Sequence, residues 1–158
     1  MPAEQWRPDM DPNTRRALWE RIGAMGAAVG VEMKAPRTLA NSLPALLASE
    51  FAAEMGAGEA FEERVFRAYF SEGLNIGQHE VITNLGIDVG LDRTAIEAAL
   101  RSEKYVTRIK GHAKAAGQLG VNGVPTFLIG DWPLVGAQSE DVMRRVLQRA
   151  RERFDASK

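Results

Sequence analysis

The residues best suited to acid–base chemistry or metal binding are two histidines, His79 and His112. They fall on different predicted helices, without ligand-type spacing, whereas a zinc site needs three or four ligands. Ordinary surface or half-buried histidines are therefore the simpler interpretation, and the sequence gives no Ser–His–Asp arrangement. The neighbouring carboxylates Glu62 and Glu63 point to different faces of a predicted helix, so they cannot work as an acid–base pair.

Cysteine is missing from all 158 residues, and this excludes several further kinds of chemistry. Disulfide bonds, thiolate catalysis and thiolate metal sites are ruled out for the sequence as it stands. The glycines of GAMGAAVG, which are Gly23, Gly26 and Gly30, lie within a predicted helix, whereas a phosphate-binding loop follows a strand. Close helix packing is their expected role. We expect no metal and no cofactor.

Composition and charge are those of an ordinary globular protein, with 45% hydrophobic and 26% charged residues. The net charge of −1 gives no general attraction to nucleic acid or to acidic membranes. The N-terminal MPAEQWRPDMDP lacks the apolar run of a secretory signal, and no stretch approaches the roughly 20 apolar residues of a membrane span. We therefore expect one domain over residues 1–158, located in the cytoplasm, with no nucleic-acid and no membrane partner.

Helices dominate the predicted secondary structure up to residue 119. Hydrophobic spacing and capping residues predict helices over roughly 12–29, 38–55, 59–71, 78–89, 93–100 and 103–119. Pro44 lies inside the second of these, so that helix either is kinked there or starts near Ser42. The third helix carries an aromatic stripe that we expect in the core: Phe61, Phe66, Tyr69 and Phe70.

The C-terminal part of the chain is predicted to form a strand, a turn, a second strand and a helix. The segment Thr126–Ile129 is apolar at nearly every position, which is typical of a strand covered on both faces. Gly130 and Asp131 form the predicted turn. Pro133 places the returning strand, Trp132–Val135, at a sheet edge. A final helix should follow Ser139 and end near Phe154.

A hairpin of two strands is marginally stable in water, so the strand at 126–129 needs a second partner. Unpaired strand edges also invite association with other chains. The only other candidate strand in the sequence is the short segment Gln5–Arg7. The sequence therefore predicts a sheet with an unfilled position.

Four segments resemble the DsbA-like thioredoxin-fold family, especially its FrnE-type branch. They are AYFSEGLNIG (68–77), GLD (90–92), GVNGVPTFLI (120–129) and GAQ (136–138). GVPTF before a hairpin and a helix is fairly specific to thioredoxin folds, and AYF together with GAQ narrows the resemblance to DsbA-like members. The resemblance implies an α/β (α+β) fold. It consists of a mostly helical region, 11–119, followed by a thioredoxin-like hairpin and C-terminal helix, 120–158.

The resemblance also implies that an element of the family fold is missing. Family members begin with a strand, a helix that carries Cys-x-x-Cys, and a second strand, whose end resembles EQWRPDMDP. The first strand and the cysteine-bearing helix are then absent from these 158 residues. In the family sheet the missing strand lies beside the strand placed here at 126–129. The unpaired edge of the strand at 126–129 indicates the same gap in the sheet.

The candidate site is the loop Val124-Pro125-Thr126, because Pro125 matches the cis-proline of the family. The resemblance implies a cis bond between Val124 and Pro125. It also implies that the backbone of Val124 can pair with an extended peptide or a small thiol. The other interpretation is a purely structural loop, left without its redox cysteines.

Three functions stay open at this point. The first is a binding or assembly module without redox activity, forming a homodimer that covers the open sheet edges. The second is a shortened oxidoreductase, with its Cys-x-x-Cys encoded upstream of Met1. The third is a glutathione-binding relative of kappa-class glutathione transferases and hydroxychromene-carboxylate isomerases, whose catalytic serine belongs to the same missing helix. We predict the first, with no catalytic residue in this chain and no thiol–disulfide activity.

Overall fold

The computed structural model describes residues 10–36, 38–130 and 132–156. The elements in these ranges are α1 (Pro12–Ala27), α2 (Leu43–Glu54), α3 (Gly58–Phe70), α4 (His79–Asp88), α5 (Arg93–Ala99), α6 (Glu103–Gln118), β1 (Thr126–Ile129), β2 (Trp132–Val135) and α7 (Glu140–Ala156). This confirms the predicted class, a helical region followed by a hairpin and a helix. The candidate strand at Gln5–Arg7 lies outside the described residues.

The start predicted for the second helix at Thr38 is wrong, and the alternative near Ser42 is correct. Helix α2 begins at Leu43, with Ser42 as its N-cap and Pro44 in its first turn. Proline is tolerated there because the first amides of a helix have no intrahelical acceptor, so the missing N–H costs nothing.

The chain divides into two compact units, Met1–Ile109 and Lys110–Lys158. Helix α6 contributes to both, since its residues up to Ile109 belong to the first unit and the following ones to the second. The prediction of one domain over residues 1–158 stays a prediction.

The hydrophobic core of the first unit is built around α2, which packs against α3, α4 and α5. Alanines on α2, such as Ala48 and Ala52, are fully buried and allow the neighbouring helices to approach closely. Larger side chains fill the remaining space. The largest fully buried ones are Phe61, Ile82, Leu85, Ile96 and Thr83.

The expectation that the whole aromatic stripe of α3 lies in the core is wrong for Phe66, which is exposed, and for Phe70, which is half-buried and not part of the core. Phe61 is fully buried, and Tyr69 packs against the core from its edge. Phe66 is 62% exposed and stacks on Phe70, with ring centroids 6.1 Å apart. Phe66 lies five residues after Phe61, about 140° around the helix, and so it faces away from the core.

The expected close packing of a second helix on Gly23, Gly26 and Gly30 is wrong: Gly30 follows the end of α1, and Gly26 packs tightly against the segment that follows α1. A Cβ built on Gly26 would lie 2.6 Å from the Val31 carbonyl oxygen and 3.0 Å from the Met33 side chain. Only glycine lets the chain fold back this tightly. Gly30, in the left-handed region with φ of 77°, makes the reversal possible.

The second unit contains an antiparallel hairpin that packs against α7. Thr126 pairs with Val135 and Ile129 with Trp132. Helix α7 turns a half-buried face inward, at helical spacing: Val142, Met143, Val146 and Ala150.

The prediction that β1 is covered on both faces is wrong for the described chain. Phe127 is 39% and Leu128 48% exposed. Among the described elements of this unit, α7 packs on β1, and the sheet of the described residues holds two strands. The sequence of β1 is therefore typical of a strand buried on both faces, although both of its faces are partly exposed in the described residues.

Among the described helices, none is both long enough and apolar enough to cross a membrane.

Candidate functional site

The candidate loop follows helix α6, whose C-terminus is closed by a glycine. Helix α6 ends at Gln118, and Gly120 follows in the left-handed region with φ of 74°. The Val121 amide then donates to the Ala116 carbonyl at 3.0 Å, a bond that caps the helix C-terminus. The chain is thereby turned out of α6 and led into the five residues that precede β1.

Two hydrogen bonds fix the loop on either side of Val124. The Thr126 hydroxyl donates to the Gly123 carbonyl at 2.7 Å. The Gly136 amide donates to the Pro125 carbonyl at 2.7 Å, which extends the pairing of β1 and β2 by one step. The Val124–Pro125 bond, which the resemblance implies to be cis, is cis in the structure.

Val124 itself projects from this fixed frame. Its side chain is 91% exposed. Within the described parts of the chain, neither its amide nor its carbonyl takes part in a backbone hydrogen bond. The residue therefore presents one donor and one acceptor at the start of a strand, the arrangement with which an extended chain can pair.

Gly136 and Gln138 close the far side of the hairpin, a role that is not evident from the sequence. Gly136 has φ of 86°, and the Gln138 side-chain amide donates to the Val135 carbonyl at 2.8 Å. Together they end β2 and turn the chain toward α7. The signal in the sequence was a glycine directly after a strand, where a left-handed residue often stops the pairing.

The loop and hairpin carry almost no ionisable groups. Asp131 is the single charged residue between Gly120 and Gln138. At the end of the hairpin, the Arg153 guanidinium of α7 lies 5.3 Å from the centre of the Trp132 ring. The loop thus offers backbone groups and apolar surface for binding, and no side chain of the loop can transfer a proton near neutral pH.

The other residues considered from the sequence do not form a second site in the described ranges. His79 is exposed at the first turn of α4, and His112 is exposed on α6. Glu62 and Glu63 are both exposed on α3. No group of three metal-ligating side chains occurs among the residues that the structure describes.

Comparison with known proteins gives a family match over most of the chain. The sequence model of the family described as "DSBA-like thioredoxin domain" matches residues 1–148. A curated relative, the uncharacterized protein YwbO of Bacillus subtilis (strain 168), is 32% identical over 150 residues. That alignment covers 92% of this chain and 74% of YwbO.

Solved structures share the fold at lower sequence identity. A probable DsbA oxidoreductase from Streptomyces coelicolor is similar with a TM-score of 0.85 and 24% identity, covering 95% of this chain and 67% of that one. A 2-hydroxychromene-2-carboxylate isomerase gives 0.76 and 23%, with coverage of 92% and 71%. The cytosolic disulfide reductase DsbM from Pseudomonas aeruginosa, solved with GSH, gives 0.56 and 20%, with coverage of 99% and 78%.

Proposed function

The chain belongs to the family of DSBA-like thioredoxin domains, and we propose that its Val124–Thr126 loop binds an extended peptide by main-chain pairing without thiol–disulfide exchange. The observation that carries this proposal is Val124, whose amide and carbonyl have no backbone partner in the described residues although both of its neighbours are fixed. Recognition of this kind depends on backbone hydrogen bonds and tolerates many peptide sequences.

The proposed lack of redox activity rests on the chemistry of thiol–disulfide exchange. A thiolate must attack a disulfide sulfur, and the old S–S bond then breaks to release a second thiolate. The 158 residues hold no cysteine that could supply the attacking sulfur. In an insulin-reduction assay with dithiothreitol, the pure chain should give the rate of dithiothreitol alone. Turnover above that rate would overturn this part of the proposal.

Peptide binding is tested by following the Val124 amide in 15N-labelled protein. The probe is a capped, cysteine-free hexapeptide of alternating Thr and Val. We expect the Val124 signal to shift on titration, while that of Val29 does not. Val29 is 75% exposed, but its amide already donates to the Gly26 carbonyl, so it reports non-specific changes. No shift at Val124 at millimolar peptide would contradict the proposal.

Main-chain pairing, unlike a side-chain contact, requires particular backbone amides of the peptide to be free to donate. Only alternate residues of a paired strand point their amides at the partner. Of two peptides N-methylated at alternate positions, one should lose binding and the other keep it. Likewise Val124→Ala should bind, while Val124→Pro, which lacks the amide, should not. Equal binding of both methylated peptides would exclude main-chain pairing.

Glutathione is the second ligand to test at the same loop, because its own peptide groups could pair with Val124 in the same way. The structural neighbour DsbM, described with GSH, supports including it. A shift of Val124 with glutathione but not with the hexapeptide would assign the loop to a small thiol.

A homodimer is the second candidate function, and the exposed surface of the hairpin unit favours it. Its exposed apolar side chains include Phe127, Leu128, Leu147 and Phe154. Open strand edges and apolar surface of this kind favour pairing between chains. Sedimentation equilibrium should give twice the chain mass of 17.3 kDa, and Leu128→Lys should reduce it to one chain. A monomer at all concentrations would exclude the dimer.

A cytoplasmic location and membership of the FrnE-type branch stay predictions.

A further inference from the structure

The edge of β1 that faces away from β2 carries open backbone groups. The Gly136 amide donates to the Pro125 carbonyl at 2.7 Å, and the two strands pair in register from there. Because the hydrogen bonds of an antiparallel pair involve alternate residues of each strand, Phe127 is the next residue of β1 that bonds to β2. Thr126 and Leu128 occupy the other positions, so their amides and carbonyls point away from β2.

These groups continue the site at Val124 along the same strand edge. Val124, Thr126 and Leu128 follow one another at intervals of two residues, the spacing at which one edge of a strand presents its amides and carbonyls. In the described ranges, no backbone group pairs with the open groups of these three residues. The open edge therefore extends from the candidate loop along β1 as far as Leu128.

The opposite edge of the hairpin, on β2, is closed to a further strand. Its outward residues are Pro133 and Val135, which lie opposite Leu128 and Thr126. Pro133 has no amide proton to donate, and the Val135 carbonyl already accepts a hydrogen bond of 2.8 Å from the Gln138 side chain. Within the described hairpin, continuous pairing with another strand is therefore available at β1 and not at β2.

Apolar side chains lie beside the open edge. Phe127 and Leu128 are on opposite faces of the hairpin, and both are partly exposed. On α7, Arg153 lies over the Trp132 ring of β2. Leu147 precedes Arg153 by six residues, about 120° around the helix, so it lies on the flank of α7 away from β2, where it is exposed. A strand added to β1 would bury apolar side chains on its α7 face.

We propose that the ligand is an uncharged peptide strand that pairs with the whole open edge from Val124 to Leu128 and turns apolar side chains toward α7. The open backbone groups require a strand, and the segment from Val124 to Leu128 contains no charged residue that would pair with a charged ligand. This inference rests on the proposed binding of an extended peptide at Val124, and it specifies the length of that peptide and its side chains.

Hydrogen exchange of the backbone amides of the 158-residue protein tests the proposal. With the capped hexapeptide of alternating Thr and Val, exchange should slow at Val124, Thr126 and Leu128 together. The amides of Phe127 and Ile129, which face β2, should exchange as before. Protection of Val124 alone would leave binding at the loop intact and overturn the extended strand. No protection of the three amides at millimolar peptide would overturn both.

Changes in the peptide test its length and its side chains separately. The capped tripeptide Val-Thr-Val reaches fewer open groups and should bind about tenfold more weakly than the hexapeptide, as expected for the lost hydrogen bonds. A hexapeptide with Lys in place of each Val keeps the backbone and should bind at least about tenfold more weakly, because charges would replace the apolar face. Equal affinity of the tripeptide would overturn pairing beyond the loop, and equal affinity of the Lys peptide would overturn the apolar contact with α7.

Substitutions in the protein provide two matched pairs. Leu128→Pro removes an outward amide of β1 and should weaken hexapeptide binding about tenfold. Val135→Pro removes an outward amide of β2 and should leave it unchanged. If either proline variant does not fold, as checked by circular dichroism, Leu147→Gln should weaken binding several-fold, whereas Leu46→Gln, at an exposed leucine of α2, should not. Equal effects within a pair of folded variants would overturn the added strand.

A second copy of the chain is the other source of a strand for this edge. Without peptide, we expect the exchange of Thr126 and Leu128 to stay fast at every protein concentration. Protection of both amides that rises with protein concentration, together with a doubled mass in sedimentation equilibrium, would assign the edge to a homodimer and overturn the peptide as its ligand.

Discussion

The Tyr105 hydroxyl donates a hydrogen bond of 2.7 Å to Oε2 of Glu54 and so ties the first turn of α6 to the end of α2. Lys104 donates to the same oxygen at 2.7 Å, and Arg108 donates to the other oxygen at 2.8 Å. These bonds, that from Lys104 first and then those from Tyr105 and Arg108, lower the pKa of Glu54 to about 2. The contact between the two helices thus depends on the ionised carboxylate.

The first prediction is a loss of stability in acid that depends on Glu54. Its pKa is lowered from 4.5 to about 2 on folding, so its contribution is fully present above pH 4.5 and is lost as the pH falls toward 2. Glu54→Gln should therefore lower the urea midpoint at pH 7, and the difference from the wild type should shrink steadily as the pH falls below 4.5. Urea unfolding at a series of pH values measures this.

The matched control for Glu54 is Glu62→Gln. Glu62 is exposed on α3, and its side chain forms no ion pair or hydrogen bond among the described residues. Its urea midpoint should follow the wild type at every pH. A difference between Glu54→Gln and wild type that is constant from pH 7 to pH 3 would mean that the carboxylate charge is not what joins the helices.

The second prediction concerns two glycines in helices, one tightly packed and one with open space beside it. Gly26→Ala should destabilise the protein by about 1–3 kcal/mol, because its Cβ would meet the Val31 carbonyl at 2.6 Å. Gly111→Ala should stabilise it by about 0.5–1 kcal/mol, since alanine suits a helix better and nothing lies within 4 Å of the added Cβ. Chemical denaturation of both variants gives the two free energies of unfolding. Equal signs would show that α1 does not pack on the segment 31–33 as described.

The third prediction uses two phenylalanines of the same helix. Phe61 is fully buried, and Phe61→Ala should cost about 3–5 kcal/mol. Phe66 is 62% exposed, and Phe66→Ala should change the free energy of unfolding by about 0.5 kcal/mol or less. The measurement is again the free energy of unfolding of each variant. A large loss for Phe66→Ala would mean that its face of α3 is covered in solution.

The order of helices and strands could be predicted from the sequence because it depends on local periodicity and capping. Asp11 and Asp92 illustrate this, since each accepts a hydrogen bond of 2.9 Å from an amide in the first turn of the helix it precedes. Burial could not be predicted so well. Phe66 and Leu128 are as hydrophobic as the residues of the core, and their exposure depends on which elements pack beside them, which no local pattern contains.

The candidate loop was found through resemblance, and its geometry could not have been derived from the residues alone. A cis Val124–Pro125 bond is rare among X–Pro bonds, and the bonds that fix the loop join residues across the hairpin, such as Gly136 to Pro125. An apolar pocket of about 300 Å³ in the first unit, lined among others by Trp19, Leu39 and Tyr69, was also not foreseen. These residues belong to α1, the segment before α2 and α3, and only folding brings them together.

The last prediction tests whether the fixed frame around Val124 matters for binding. Thr126→Val keeps the shape of the side chain but removes the hydroxyl that donates to the Gly123 carbonyl at 2.7 Å. We expect a loss of about 1 kcal/mol in the free energy of unfolding and faster hydrogen exchange of the Val124 amide. The affinity for the hexapeptide should fall several-fold, because a looser loop must be ordered when the peptide binds.

The control for this prediction is Thr107→Val, the same change at an exposed position of α6. Both residues are threonines, so the two substitutions remove the same hydroxyl group and add the same methyl group. Thr107→Val should leave the exchange of the Val124 amide and the peptide affinity unchanged. If Thr126→Val leaves the exchange of the Val124 amide and the affinity for the hexapeptide unchanged, as Thr107→Val should, the hydrogen bond to Gly123 does not order the loop for a ligand. The Val124 backbone groups would then be available for pairing without that hydrogen bond.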